Sequence, residues 1–204
     1  MANSCSTDYQ VVGLQLNVEN FYNKLRSVLS TDRSYQQNNQ TFKENASWLG
    51  YVVSDILDVN PENESISCRG TIVWLDEQIN ISDDGTSTFQ LMTETAWTDC
   101  RKLFYLLSKH FNVDIFFMSE ELGCDFLESN DNEQKYFSTQ FIINDLDNDM
   151  EYYSSFEELR DEIKKLTGDT PSNFQEVEKI IENHDDTCEN INVYQVSYVT
   201  LQDF

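Results

Sequence analysis

The chain has 204 residues and carries 37 Asp and Glu against 13 Lys and Arg, which gives a formal net charge of −24. This charge disfavours direct binding to nucleic-acid phosphates or to an anionic membrane surface, and an aromatic content of 13% disfavours a disordered acidic tail. No apolar stretch approaches the roughly 18 residues of a membrane-spanning helix, and five cysteines without a C-x-x-C pair favour reduced thiols in a cytoplasmic protein.

The first 119 residues predict strands and helices in the order β-α-α-β-β-α-β, in which the second helix is an insertion. The predicted strands cover residues 8–14, 66–75, 86–95 and 113–119. The predicted helices cover residues 17–29, 43–57 and 98–111. Asn17 is expected to cap the first helix, and the polar stretch 31–41 is expected to be a loop. Without the insertion this is the order of a ferredoxin-like split βαβ sandwich, an α+β fold with an antiparallel sheet and helices on one face.

The remaining sequence predicts an extension to this sandwich. Its predicted elements are strands at 124–127 and 135–143, which are expected to pair, helices after Ser155 and from Pro171, and a strand at 191–201. Ser155 and Glu158 form a capping box, and Gly168 is placed to end that helix. We therefore expect the whole chain to be a single α+β domain, with a core at about 5–143 and a C-terminal α-α-β extension at about 150–204 packed on it.

Five short stretches are similar to a known family. They are MANSCSTDYQVVG at the N-terminus, TETAW at 93–97, SEELGC at 119–124, SND at 129–131 and KYF at 135–137. In these stretches the chain resembles the YubB-type ferredoxin-like domain family, whose members come largely from bacteria, phages and plasmids. The resemblance implies the ferredoxin-like fold and a bacterial, mobile-element setting. Because the family has no established biochemical activity, the resemblance assigns no catalytic residue.

Trp97, Glu120 and Glu121 are candidate interaction residues in the first part of the chain. Trp97 precedes a predicted helix, where packing on the core as a hydrophobic staple is favoured and a ligand platform is the alternative. Glu120 and Glu121 follow a predicted strand, so their side chains are expected to point to opposite faces. Since a paired-carboxylate active site needs two acids in one cleft, we favour a strand-end carboxylate bonded to turn amides.

A second group of candidate interaction residues lies further along the chain. Its members are Asn130, Asp131, Asp145, Asp147 and Asp149. The last three alternate as at the start of a calcium loop, but Met150 and Phe156 stand where that loop needs Gly and Glu, so a solvated acidic loop is favoured. His184 and Cys188 are four residues apart, yet no further ligand lies at a metal-binding spacing. We therefore predict no metal site, no cofactor and no catalytic residue.

Three functions stay open. The first is an acidic protein-interaction module whose partner has a basic or polyanion-binding surface. The second is a nucleic-acid mimic, because alternate residues of a strand are about 6.8 Å apart and the three aspartates then approximate the spacing of phosphates. The third is an uncharacterised enzyme, which two histidines and six glycines disfavour. The first is the favoured hypothesis.

Overall fold

The computed structural model describes residues 3–37, 40–62, 66–146, 150–184, 188 and 190–204. Within these ranges the chain is a mixed α/β protein with a large, mostly antiparallel sheet and five α-helices. The helices are α1 (Gln15–Ser30), α2 (Leu49–Leu57), α3 (Arg101–Phe111), α4 (Phe156–Thr167) and α5 (Phe174–Asn183). The strands are β1 (Ser4–Leu14), β2 (Ser34–Gln37), β3 (Gln40–Lys43), β4 (Gly70–Leu75), β5 (Asn80–Ile81), β6 (Thr86–Ala96), β7 (Asp114–Glu121), β8 (Phe126–Ser129), β9 (Phe141–Asp145), β10 (Met150–Tyr153), β11 (Ile191–Gln195) and β12 (Ser197–Tyr198).

The chain forms two compact units. The N-terminal unit consists of residues 1–126 together with 199–204, and the second unit consists of residues 127–198. The expectation of one domain over residues 1–204 stays a prediction. No helix of the described residues has the length and apolarity that crossing a membrane requires.

The sheet of the N-terminal unit has its strands in the order β7-β1-β6-β4, and every neighbouring pair is antiparallel. Strand β4 pairs with β6, so the sequence pattern of 66–75 and 86–95, with the turn signal Asp83-Asp84-Gly85 between them, correctly predicts two antiparallel neighbours. On the central strand β1, Tyr9 lies opposite Leu91 of β6 and Phe117 of β7, so the three side chains share one face. These three residues are at most 1% exposed, which places the core on this face of the sheet.

Helices α1, α2 and α3 supply the other half of this core. Their buried residues include Phe21, Leu25, Leu49, Val52, Phe104 and Leu107. The ring of Tyr9 stacks on that of Phe104 with centroids 3.6 Å apart. Since full burial of a large apolar side chain contributes about 1.5–3 kcal/mol, this aromatic interior stabilises a chain whose surface is strongly anionic.

Several local predictions in the N-terminal unit are wrong. The helix expected at 43–57 begins only at Leu49, and Lys43 belongs to β3. Helix α1 begins at Gln15 and has Leu14 at its N-cap position, so Asn17 lies in the first turn. The Asn17 side chain instead donates to the Asn112 carbonyl oxygen at 3.0 Å. The expected loop 31–41 contains the β2–β3 hairpin, whose polar strands lack the alternation of apolar residues that indicates a strand.

The second unit contains a three-stranded sheet in the order β10-β9-β11. The expected pairing of 124–127 with 135–143 is wrong, because β8 pairs with β12 in parallel while β9 pairs with β10 and β11. Helices α4 and α5 complete this unit, whose core includes Phe141, Leu159, Ile163 and Val177. The predicted cap of α4 is confirmed, since the Ser155 side chain accepts the Glu158 N–H and Gly168 ends the helix with φ 85°.

Candidate binding site

The helix-covered face of the N-terminal sheet changes from apolar to polar toward one end. Beyond Tyr9, Leu91 and Phe117 the inward positions of the three strands are buried but mostly polar. They are Cys5 and Thr7 on β1, Thr93 and Thr95 on β6, and Ser119 and Glu121 on β7. Burying polar groups is unfavourable unless they are hydrogen-bonded. The hydrogen-bond partners of these buried side chains therefore show which of them are stabilised within the protein.

Asp99 and Arg101 form the centre of a satisfied network at this polar end. The Arg101 Nη2 donates to Asp99 Oδ2 at 2.9 Å, and its Nη1 donates to the Asp203 carbonyl oxygen at 2.9 Å. Ser119 Oγ donates to the same Asp99 oxygen at 3.1 Å, and its oxygen lies 3.0 Å from Thr7 Oγ1. Because both charges have several partners, this network holds the start of α3 against β1 and β7.

Glu121 has different surroundings. It is the last residue of β7 and is only 8% exposed. Its Oε2 has no hydrogen-bond partner among the described residues, and the same holds for the Tyr9 hydroxyl and Thr93 Oγ1. Buried polar atoms almost always have a partner, which can be a protein group, water or a ligand. At the polar end of the sheet, Glu121 is therefore a buried acidic residue with one carboxylate oxygen, Oε2, that lacks a hydrogen bond.

A short 3₁₀ turn at Leu122–Cys124 follows Glu121. A Cβ atom added to Gly123 would lie 3.0 Å from Glu121 Oε1 and 3.2 Å from Asn3 Nδ2. The same Asn3 Nδ2 donates to Cys124 Sγ at 3.5 Å. Gly123 and Cys124 are exposed, so the carboxyl group of Glu121 is bordered by solvent-facing residues on this side.

Cys124 does not have the surroundings of a catalytic nucleophile. A hydrogen bond with Glu121 raises the pKa of the Cys124 thiol, and the negative charges of Glu121 and Asp125 add to this effect. A raised pKa lowers the fraction of thiolate, which is the reactive form. The thiol therefore acts here as a hydrogen-bonding neighbour of the Glu121 carboxylate.

Trp97 is hydrogen-bonded to Asn3 through the backbone. Its backbone N–H donates to the Asn3 carbonyl oxygen at 3.0 Å. The predicted packing of Trp97 in the core is wrong, because the residue is 44% exposed and α3 begins only at Arg101. Its φ is 74°, which is an outlier for a bulky residue. Such strained positions cluster at ligand sites, and this one places a large aromatic side chain near the polar end of the sheet.

Of the remaining candidate residues, Glu120 precedes Glu121 in β7, whereas Asn130 and Asp131 belong to the second unit. Glu120 is half-buried and Glu121 is buried, in agreement with the expectation that they face opposite ways. Asn130 is half-buried, and its neighbour Asp131 is 2% exposed. The Asp131 carboxylate accepts the N–H groups of Lys135, Tyr136 and Phe137 at 3.1, 2.6 and 2.9 Å. Asp131 therefore holds a turn of the second unit together.

The acidic series of the second unit is described only in part. Asp145 ends β9 opposite Ile191, whereas Asp147 and Asp149 lie outside the described residues. His184 Nδ1 lies 2.9 Å from the Ile180 carbonyl oxygen. In the described part of the chain no group of three or more His, Cys, Asp and Glu side chains is placed to hold a metal ion.

The opposite face of the N-terminal sheet carries a pattern that sequence reasoning missed. One row across the strands consists of Glu120, Ser6, Glu94 and Thr71, and the next row consists of Met118, Asp8, Met92 and Trp74. Asp8, Glu94 and Trp74 are exposed, and the others are half-buried. We call the eight residues the acidic face. Finding it from the sequence requires the register of four strands, which the alternation of single strands does not supply.

Comparison of the chain with protein-family models, with curated proteins and with solved structures finds no match.

Proposed function

We propose that the N-terminal unit is a ferredoxin-like split βαβ sandwich that works as an acidic interaction module and binds a basic segment of a partner protein on its acidic face. The fold assignment is supported by the order β1-α1-β4-β6-α3-β7 once β2, β3, α2 and the short β5 are set aside, and by the strand order β7-β1-β6-β4. In a split βαβ unit the chain-order strands 4, 1, 3 and 2 lie side by side in this way.

The observation that carries the function is the placement of three carboxylates on one sheet face. Glu120 and Glu94 flank Ser6, so they stand about 10 Å apart across two strand spacings. Asp8 lies two residues further along the central strand, at roughly 8 Å from each. The distance of about 8 Å between Asp8 and either glutamate is close to the roughly 6.8 Å between alternate residues of an extended segment, so Asp8 and one glutamate can each face a basic side chain.

The second row of the acidic face adds apolar contact to this charge pattern. Asp8 has Met92 on one side and Met118 on the other, and Trp74 follows Met92. Exposed ion pairs contribute only about 0.2–1 kcal/mol each, so charge alone gives weak binding. Methionine and tryptophan side chains pack against the aliphatic stems of Lys and Arg, and a cation over a Trp ring gains about 0.5–2 kcal/mol.

The membership in the YubB-type family is part of the same proposal. Three of the stretches that resemble the family contribute Asn3, Trp97 and Glu121. Asn3 hydrogen-bonds to Trp97, and its side-chain amide lies beside Glu121. Three segments that are far apart in sequence thus meet at one end of the sheet.

The test is binding of a labelled Arg-Ser-Arg-Ser-Arg-Ser peptide, measured by fluorescence anisotropy at 0.05 and 0.15 M salt. We expect the D8N/E94Q variant to weaken binding at least about tenfold, or about 1.4 kcal/mol. The control variant E77Q/D83N removes the same charge from exposed loop positions of the N-terminal unit and is expected to change affinity less than about twofold. Equal weakening by both variants contradicts the proposal, because the peptide then responds to overall charge.

A further inference from the structure

A β-bulge turns Trp74 onto the acidic face. Ile72 and Trp74 lie opposite consecutive residues of β6, so Val73 is an extra residue in β4. Without this extra residue, the alternation of the strand would point Trp74 to the same side as Ile72, toward the core. The bulge instead places Trp74 beside Met92 on the acidic face and returns Leu75 to the core side. Ile72 is 5% exposed, whereas Val73 and Trp74 are 43% and 46% exposed.

Asp76 fixes the strand that follows the bulge. Its N–H donates to the Gln90 carbonyl oxygen at 3.0 Å, and its Oδ2 accepts the Gln90 N–H at 2.7 Å. Its own carbonyl oxygen accepts the Tyr22 hydroxyl group at 2.8 Å. The backbone beside Trp74 is therefore held in place before any partner binds, which lowers the entropy cost of using this side chain in an interface.

Trp74 and Glu94 are both available to a cation from outside the chain. No Lys or Arg side chain of the described residues lies over the Trp74 ring, whereas three tyrosine rings of the same unit each have such a cation. They are Tyr22, Tyr51 and Tyr105. Glu94 is exposed, and it takes part in none of the ion pairs of the described residues.

We propose that Trp74 and Glu94 form an arginine-selective subsite of the acidic face, in which the guanidinium group of a partner side chain stacks on the indole ring and donates hydrogen bonds to the Glu94 carboxylate. This inference rests on the proposed function, because the arginine belongs to the basic segment that docks on this face. Trp74 lies opposite Met92, and Glu94 is two residues from Met92 on the same side of β6. Diagonal neighbours of this kind have Cα atoms roughly 7–8 Å apart, within reach of aromatic and long side chains.

The combination of a ring with a carboxylate selects arginine over lysine. A guanidinium group is planar, so it stacks on an indole ring while its N–H groups stay in the plane and point to a carboxylate. An ammonium group is compact and more strongly hydrated, so contact with the ring and contact with the carboxylate both compete with its water shell. Trp is also the aromatic side chain that binds cations best. We therefore expect the subsite to discriminate between two side chains of equal charge.

Asp8 gives the acidic face a second cation position of a different kind. It lies beside Met92 on the side away from Trp74, so no aromatic side chain adjoins it in its row. Its distance of about 8 Å from Glu94 lets the next basic residue but one of an extended segment reach it. Arginine and lysine are expected to pair with Asp8 about equally well, which makes Asp8 a control for Glu94.

The test compares labelled Arg-Ser-Arg-Ser-Arg-Ser and Lys-Ser-Lys-Ser-Lys-Ser peptides, whose binding to the full chain is measured by fluorescence anisotropy at one low salt concentration. We expect the unaltered protein to bind the arginine peptide about fivefold more tightly than the lysine peptide. W74L removes the ring but keeps an apolar side chain, and it is expected to reduce this ratio to less than about 1.5-fold. Y105L removes a ring from α3, on the other face of the sheet, and is expected to keep the ratio. Thermal unfolding shows whether both variants are folded.

Two single charge removals on the acidic face add a second comparison. E94Q and D8N are both expected to weaken binding of both peptides. E94Q is also expected to lower the preference for arginine to less than about twofold, because the stacked guanidinium group loses its charged acceptor, whereas D8N keeps the preference. The indole N–H signal of Trp74, identified by its absence from the NMR spectrum of W74L, is expected to shift more with the arginine peptide than with the lysine peptide.

The outcomes separate this inference from the proposed function. If the unaltered protein binds both peptides equally, or if W74L keeps the preference for arginine, the subsite is excluded, and a weakening by D8N/E94Q still supports the proposed function. If D8N/E94Q weakens the arginine peptide no more than E77Q/D83N does, the proposed function fails, and the subsite that rests on it fails as well.

Discussion

Arg101 and Asp99 form a buried ion pair in which Nη2 lies 2.9 Å from Oδ2, and their side chains are 7% and 5% exposed. The guanidinium group also lies over the Phe117 ring at 4.8 Å. Charged side chains are almost never fully buried unless they are paired. Each member also has a partner outside the pair: Ser119 donates to the Asp99 carboxylate, and the Asp203 carbonyl group accepts from Arg101.

Removal of one member of this pair is expected to be strongly destabilising. R101A leaves the Asp99 carboxylate buried without its cation, and we expect a loss of about 3–5 kcal/mol in the free energy of unfolding. The control is R26A in α1, an exposed arginine, for which about 0.5 kcal/mol or less is expected. Urea unfolding of both variants measures the difference. If R101A and R26A lowered the free energy of unfolding by similar amounts, the Asp99–Arg101 pair would not contribute specifically to stability.

Gly50 is expected to resist the substitution that normally stabilises a helix. In an exposed helix interior, Ala is favoured over Gly by about 0.5–1 kcal/mol. In α2 a Cβ at position 50 would collide with the indole ring of Trp48. We therefore expect G50A to lower the melting temperature, with a loss of about 1–3 kcal/mol from overpacking. S54A in the same helix is the control and is expected to change stability little; a stabilised G50A would contradict the contact with Trp48.

Trp97 allows a direct test of backbone strain. A residue with positive φ other than Gly costs roughly 1–2 kcal/mol. We expect W97G to be more stable than W97A by roughly 1 kcal/mol in urea unfolding, because both lack the indole ring and differ in the backbone conformation that they favour. At an ordinary position the order of the two variants is reversed. If W97A were at least as stable as W97G, the positive φ at position 97 would not cause backbone strain.

Asp8 is expected to make stability depend on pH. Although the residue is exposed, its neighbours withdraw water from the carboxyl group, and this desolvation raises the pKa of Asp8 above 3.8. A raised pKa in the folded state means that the stability contribution is complete below pH 3.8 and is lost as the pH rises through the folded-state pKa. We therefore expect D8N to be more stable than the unaltered protein at pH 7 and nearly equal to it at pH 3. If D8N were less stable than the unaltered protein at pH 7, the predicted sign of the effect would be wrong.

Elements with a local signal were predictable from the sequence. The Ser155 and Glu158 capping box fixed the start of α4, and alternation over 86–95 identified β6. The β2–β3 hairpin was missed because each of its four-residue strands contains a single aromatic residue among polar ones, so no alternation marks it.

The candidate site depends on tertiary pairing and for that reason was only partly predictable. Glu121 and Trp97 were candidates from their positions at element ends. Their connection runs through Asn3, which is far from both in sequence and became a neighbour only through the registers of β1 with β6 and β7. The acidic face required the same registers, since Asp8 and Glu94 stand on different strands.

The N-terminal unit is completed by residues 199–204, which come after the whole second unit. Val199 and Leu201 pack on its core, and the Asp203 carbonyl group accepts from Arg101. During translation, strand β1 and helix α3 therefore leave the ribosome long before these contacts exist. The hydrogen bond from Arg101 to the Asp203 carbonyl group forms only after residue 203 has been synthesised. The N-terminal unit therefore completes its folding only after residues 127–198 of the second unit have been made.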